Sequence, residues 1–189
     1  WRLLISRGKL CPGEDVFIHG IGGGVATAAL DIARLAGARI FVSSSNETKL
    51  EKARGLGATF AWNYEDEDLT NQVLSITRKR GVDLVVDSVG EKTWLQSLKL
   101  VRKGGRIVTC GATTGPNPKT EIRLIFWKQL SILGGTMSNV LEYHRIVSLL
   151  GLGRLKPVID RVLPLEEGGE AFSYLSKSQQ FGKVVLTIS

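Results

Sequence analysis

The sequence predicts an α/β chain built on a doubly wound parallel sheet of about six strands, followed by a short C-terminal α+β segment. Three observations carry this reading. Short apolar runs alternate five times with segments of helical periodicity. The links between them are short, as in sheets whose strands are joined by crossover helices. The first apolar run opens into the first helix through Gly20-Ile21-Gly22-Gly23-Gly24, in which only Ile21 is not glycine.

Taken in order, residues 1–8 read as the end of a helix, with Leu3, Leu4 and Ile5 inward and Gly8 closing it, and Pro12-Gly13 as a turn. Val16, Phe17 and Ile18 form an unbroken apolar run, the mark of a strand buried on both faces. Behind the glycines, Val25, Ala28, Ala29, Ile32, Leu35 and Ala36 recur at helical spacing, with Asp31 and Arg34 off the stripe. Residues 39–43 are a second strand. Ser44, Ser45 or Asn46 can cap the helix that follows over residues 47–54, whose core face is Leu50, Ala53 and Leu56. Residues 59–62 are a third strand. Acidic residues 65–68 open a helix carrying Leu69, Val73 and Ile76 on one face, because negative charge favours that end. Residues 83–87 are a fourth strand, 93–103 a helix closed by Gly104-Gly105, and 106–110 a fifth strand. Residues 122–137 are mostly apolar, with the sixth strand over 129–133, and 141–150 are a helix. Beyond Leu155 the texture changes: 157–163 extended, 165–176 helical, 183–188 an apolar strand. This divides the chain into residues 1–154 and a tail, 155–189, too small to fold alone.

Strand, glycine turn and helix together form a dinucleotide-phosphate site. Glycines let the backbone turn sharply and approach a pyrophosphate, and the helix start offers unpaired N–H groups and a positive dipole end. A G-x-G-x-x-G/A frame ending at Ala26 puts Ile21 in the first glycine's place; the frame Gly20-x-x-Gly23-x-x-Ala26 fits throughout.

Bulk properties bound the alternatives. The 189 residues are 43% hydrophobic, enough for one α/β core. No apolar stretch approaches the roughly 18 residues of a membrane span. Trp1 is not an initiator and no signal-peptide pattern follows, so the chain reads as a fragment. Lys and Arg total 25 against 18 Asp and Glu, a net charge of +7, but the positive residues are scattered. The longest run, Arg78-Lys79-Arg80, falls at a helix end that favours cations, so nucleic acid is not the expected partner. Cys11 and Cys110 match no C-x-x-C spacing, and His19 and His144 lie far apart, so neither a metal site nor a disulfide is expected. His19 reads as a strand-end residue. A cytoplasmic protein is the expectation.

In order along the chain occur His-Gly-Ile-Gly-Gly-Gly-Val-Ala, Ser-Ser-Ser-Asn-Glu-Thr-Lys-Leu-Glu-Lys-Ala-Arg-Gly-Leu-Gly-Ala, Val-Asp-Ser-Val-Gly and Gly-Gly-Arg-Ile-Val-Thr-Cys-Gly-Ala. Together they resemble the Rossmann cofactor domain of the medium-chain dehydrogenase/reductases, in the quinone-oxidoreductase-like branch of the zinc-type alcohol dehydrogenases. Pro-Val-Ile-Asp-Arg-Val-Leu-Pro-Leu and Gly-Lys-Val-Val-Leu resemble that family's closing segment. The resemblance implies that Gly22, Gly23, Gly24 and Val25 wrap the pyrophosphate and that Ser44, Ser45 and Lys49 meet the adenosine ribose. It implies Tyr64 on the adenine side, and Val89, Gly111, Ala112, Gly135 and Thr136 on the nicotinamide half. It further implies a homodimer formed through the edge strand at residues 129–133. Two departures stand out. Ala26 replaces the usual last glycine, and the family's N-terminal catalytic domain has no counterpart here, so no catalytic residue carries over.

The expected cofactor is NADP(H). NAD-selective sites place Asp or Glu about 20 residues beyond the glycine turn to hold the ribose hydroxyls. Here that place is Ser43-Ser44-Ser45-Asn46, with Lys49 one turn further on. The implied activity is hydride transfer to or from a quinone, enone or carbonyl/alcohol substrate. A non-catalytic nucleotide-sensing module and a methyltransferase are the rival readings. A short-chain dehydrogenase is disfavoured because Tyr143 and Tyr174 are followed four residues later by Val147 and Ser178, not by lysine.

Overall fold

The structure, a computed structural model, describes residues 1–65 and 68–188; of the acidic stretch expected to open the third helix, Asp66 and Glu67 lie outside them. The strands of the main sheet are Asp15–Ile18 (β1), Arg39–Ser44 (β2), Phe60–Asn63 (β3), Val82–Asp87 (β4), Val101–Thr109 (β5) and Ser131–Gly134 (β6). They lie in the order β3-β2-β1-β4-β5-β6, and all pair in parallel. This is the Rossmann arrangement. The connections run outward in opposite directions from β1 and β4, which leaves a crevice at the carboxyl ends of those two strands.

Helices Gly24–Leu35 (α1), Glu47–Gly55 (α2), Leu69–Ile76 (α3) and Trp94–Leu100 (α4) cover both faces. Every residue of β1 and β4 is buried, the apolar runs Val16–Ile18 and Leu84–Val86 as a two-sided strand requires and Asp15, Asp83 and Asp87 with them. Successive side chains point to opposite faces. Val16, Ile18, Ile40 and Val42 therefore pack with Leu30 and Ala33 of α1 and Leu50 and Ala53 of α2. Phe17, Phe41, Val85 and Ile107 pack with Leu69, Val73 and Leu98 on the other side.

The start of the fifth strand differs from expectation. Helix α4 ends at Leu100 and β5 begins at once, with Val82 opposite Val101 and Leu84 opposite Arg106. The residues in between bulge outward. Gly105 has no alternative there, because a Cβ would stand 2.5 Å from a Val101 methyl and 2.9 Å from the Arg102 carbonyl oxygen. Lys128 Nζ donates to the carbonyls of Leu98, Lys99 and Val101 at 2.8–2.9 Å, capping α4 from a distant part of the chain. Residues Ile122–Trp127, expected only as an apolar stretch, form a helix (α5) begun by the Glu121 carboxylate accepting from the Arg123 N–H. A left-handed Gln129, φ 54°, then turns the chain into β6, two residues later than the pattern suggested. Val140–Gly151 (α6) starts with a full capping box between Asn139 and Glu142. Arg2 and Ser6 both donate to the buried Glu142 carboxylate, which ties the N-terminal π-helix Arg2–Arg7 to α6.

At the amino ends of the strands, Asp15 and Asp83 are buried among Arg39, Arg80 and Arg102, with N–O distances of 2.6–2.9 Å. Burial pushes the Asp83 carboxyl up. Hydrogen bonds from Arg80, the Asp15 N–H and Arg102 outweigh this and hold it well below the usual carboxylate range.

The tail forms a two-stranded parallel sheet of Ile159–Pro164 (β7) and Lys183–Thr187 (β8), joined through the helix Gly168–Ser176 (α7). It packs on the main domain: Leu155 and Phe181 are buried in the α1 and α2 side of the core. The Tyr174 hydroxyl donates to Asp160 at 2.7 Å, and Lys52 of α2 lies over the Phe181 ring. Among the described residues, no helix is long and apolar enough to cross a membrane.

Candidate cofactor site

The glycine turn is pinned between its neighbouring strands. The His19 N–H donates to Val86 O at the end of β4, and the Ile21 N–H to Ser43 O near the end of β2. Between these anchors the backbone is left-handed at Gly20, φ 68°, and at Gly22, φ 117°. A side chain at either position would add strain of about 1–3 kcal/mol. Gly23 has ordinary dihedrals and serves as the N-cap of α1. A Cβ there would meet only Gly20 O, at an ordinary contact distance of 3.7 Å. No side chain caps α1 and its first turn holds no acid, so its leading N–H groups and positive end are available to an anion. Ala26 is buried against the sheet and fills the place of the third fingerprint glycine without crowding.

The end of β2 gathers the residues expected around an adenosine. Ser44 is buried and its hydroxyl accepts the Asn46 N–H at 3.2 Å; Ser45 is exposed. The cap of α2, left open among three residues by the sequence, is Asn46, which accepts the Lys49 N–H at 3.1 Å. Tyr64 is tied to the same place by its N–H donating to Ser44 O. The Lys49 side chain crosses Gly22, where a Cβ would stand 2.7 Å from Lys49 Cδ. Its ammonium donates to Ser178 O of the tail at 2.6 Å. Burial lowers the Lys49 pKa, partly offset by Asp160.

The nicotinamide-side candidates Val89, Gly111, Ala112, Gly135 and Thr136 lie on the loops that follow the neighbouring strands β4, β5 and β6. Asp87 at the end of β4 accepts from the N–H groups of Val89 and Gly90 and from the hydroxyls of Thr93 and Ser97. This folds the 87–93 loop so that Val89 lies against Gly20. The loop after β5 docks on it: the Thr113 and Thr114 N–H groups donate to Ser88 O and Val89 O, which brings Gly111 and Ala112 alongside. The Gly135 N–H donates to Thr109 O, and Leu3 occupies the space a Gly135 side chain would need. Val25, Cys110 and Thr136 line one mostly apolar cleft of about 670 Å³, flanked by α1, α6 and the tail.

Lys183 was not legible as a site residue. It lies across the first residue of α1, with Cδ 2.8 Å and Nζ 3.4 Å from where a Gly24 Cβ would stand. The Gly182 N–H donates to Gly22 O at 2.8 Å, so the tail is strapped to the glycine turn itself. A basic residue opening an apolar strand 160 residues from the turn gives no local signal of this.

A family model described as zinc-binding dehydrogenase matches residues 24–151. The chain belongs to this family. A zinc-type alcohol dehydrogenase-like protein of Leptosphaeria maculans is 32% identical over 197 residues, covering 100% of this chain and 55% of its own length. One of Schizosaccharomyces pombe is 35% identical over 182 residues, covering 94% and 52%. A crystal structure of an NAD-dependent alcohol dehydrogenase matches with a TM-score of 0.95 at 37% identity, covering 100% of this chain and 55% of that one. The chain spans about half the length of the curated relatives it matches. What it shares with them is the cofactor-binding portion of the medium-chain dehydrogenase/reductases. Among the described residues, no three His, Cys, Asp or Glu side chains stand together as a metal site.

Proposed function

We propose that this zinc-binding dehydrogenase-family chain is the NADP(H)-binding portion of an oxidoreductase acting on a quinone, enone or carbonyl/alcohol substrate. The observation that carries the reading is the open approach at Gly23, set between a strand end and an uncapped helix start. A pyrophosphate fits there, with Lys49 and Lys183 at hand. Bound NADP(H) supplies the hydride donor or acceptor. The chain's own part is to hold the phosphates at the glycine turn and the nicotinamide beside Val25, Val89, Gly111, Ala112, Gly135 and Thr136.

The preference for NADP(H) rests on the end of β2, where Ser44, Ser45 and Asn46 stand in place of a carboxylate that would repel a 2′-phosphate. The Lys49 ammonium is bonded to the neutral Ser178 carbonyl, which it can exchange for phosphate oxygen. A charge-assisted bond of roughly 1.5–3 kcal/mol corresponds to about tenfold to a hundredfold in affinity. Calorimetric titration of the chain with NADPH and NADH tests this: NADPH should bind tighter, Lys49→Ala should weaken NADPH more than NADH, and Ser44→Asp should reverse the order. Equal or tighter NADH binding by the wild type defeats the preference.

The same reading includes a homodimer through the β6 edge. Exposed Ile122, Phe126, Trp127 and Ile132 beside an unpaired strand edge support it.

A further inference from the structure

We propose that a pocket at the C-terminal end of α1 is a second anion site, separate from the dinucleotide groove, and that it takes a small phosphorylated molecule carrying two or more negative charges.

The glycine turn meets α1 at Gly24, and this pocket meets it at Arg34, about 15 Å further along the helix axis. It encloses about 520 Å³ between the ends of α1, α2 and α6 and the start of the tail. Its charged lining is three cations, Arg34, Arg154 and Lys156, against the single carboxylate of Asp31. That carboxylate is already occupied: one oxygen accepts from Arg34 at 2.6 Å and the other from the Lys156 N–H at 2.8 Å. The Arg154 guanidinium and the Lys156 ammonium have no carboxylate within salt-bridge distance among the described residues, and both side chains are exposed. The pocket therefore carries an excess of two positive charges. Two arginine forks and an ammonium suit the clustered oxygens of a phosphate group.

Glycines keep the lining bare. A Cβ on Gly55, the last residue of α2, or on Gly153, φ 64°, would meet nothing within 4 Å. Gly57, φ 106°, lies under the Arg34 stem, where a Cβ would stand 3.0 Å from Arg34 Cδ. A ligand can thus reach the backbone between the cations.

Three helix ends contribute partial negative charge here, which opposes an anion. Their last carbonyls are taken up by the turns that follow: Ile32 O by the Ala36 N–H, Arg54 O by the Gly57 N–H, and Leu150 O and Leu149 O by the Gly153 and Arg154 N–H groups. The full charges of the side chains then set the sign of the pocket. A helix end accounts for Arg34, in the last turn of α1, but not for Arg154 and Lys156, which lie beyond the cap of α6.

Calorimetry with inorganic pyrophosphate as the probe, at low salt, tests the site on a 189-residue chain carrying Gly23→Val, which closes the glycine turn to it. Adding Arg154→Gln and Lys156→Gln should weaken pyrophosphate by about tenfold or more, and adding Arg154→Lys and Lys156→Arg should retain most of the affinity. Gly55→Glu puts a carboxylate into the pocket from a helical position with room for it and should abolish binding, whereas Gly55→Gln should not. Circular dichroism confirms that each variant is folded; if the Gly23→Val chain is not, the same substitutions in the wild type should remove one of two pyrophosphate sites. Made in the wild type, they should leave dinucleotide affinity unchanged, so this proposal and the cofactor reading fail separately. Undiminished pyrophosphate binding in the folded Gly55→Glu and Arg154→Gln/Lys156→Gln chains overturns the site, as does no binding before these changes. Citrate bound as tightly as pyrophosphate overturns the phosphate assignment.

Discussion

His19 follows β1 and is buried beside Phe17, ring centroids 4.7 Å apart, with Nδ1 3.2 Å from the Ser43 hydroxyl and Nε2 without a hydrogen-bond partner among the described residues. Burial lowers its pKa to about 4; nearby Asp87 acts in the opposite sense and is outweighed. The ring is therefore neutral when folded at neutral pH. The unfolded chain takes up this proton near pH 6.5, before the folded chain does, so stability is complete above that pH and falls as pH drops towards 4. A shift of this size is worth about 3 kcal/mol. His19→Gln keeps a partner for Ser43 and removes the titration. Denaturant unfolding between pH 7 and 4.5 should lose less stability in the variant than in the wild type; parallel curves would show that His19 does not titrate on unfolding. Asp87 is the second residue on which the site depends. Its buried carboxylate gathers four donors from the 87–97 segment, so Asp87→Ala should cost about 3 kcal/mol and expose the loop bearing Val89 to protease. Unchanged thermal stability would contradict this.

Among the elements, the glycine turn and the first four strands were legible because their causes are local: apolar runs for buried strands, helical periodicity behind them, and glycines where φ is positive. Which glycine does what was not legible. Gly20 and Gly22 carry the left-handed dihedrals, Gly23 caps and lies open, and Gly24 makes room for Lys183. This gives a contrast to test. Gly23→Val should keep the fold and abolish cofactor binding by filling the open approach, whereas Gly22→Val should also lower stability through strain and collision with Lys49. A folded Gly23→Val chain that still binds NADPH would remove the turn from the site. The α4–β5 junction and helix α5 escaped the sequence because distant residues set them. Lys128 caps a helix that ends 28 positions earlier, and Leu124, Ile125 and Leu130 pack against a core cluster drawn from distant strands and helices, among them Phe17, Leu98 and Ile107. The strap from Gly182 to Gly22 is hidden in the same way.

At the scale of the whole molecule, the open edge of β6 is the feature that the single chain leaves without cover. The sheet has two edges, β3 and β6. Trp62 of β3 stacks with Phe41 and with Phe60, Phe60 and Trp62 are partly buried, and Arg54 of α2 donates to Ala61 O, so that edge is blunted. At the other edge, the sequence could not say whether the apolar residues near β6 fill the core or await a partner. The structure divides them: Ile125 and Leu130 pack inward, whereas Phe126 and Trp127 are 57% and 74% exposed, with Ile122 and Ile132 beside them. Burying one such large side chain contributes about 1.5–3 kcal/mol, and a two-fold contact buries each of them twice. An unpaired strand adds backbone hydrogen bonds across the axis. Light scattering at micromolar concentration should therefore give twice the 20.6 kDa mass of one chain. Trp127→Glu should return it to a monomer, because two like charges would face each other near the axis. The wild-type unfolding midpoint should also rise with concentration and that of Trp127→Glu should not. A wild type that stays monomeric, with a concentration-independent midpoint, would mean that these side chains serve a different surface.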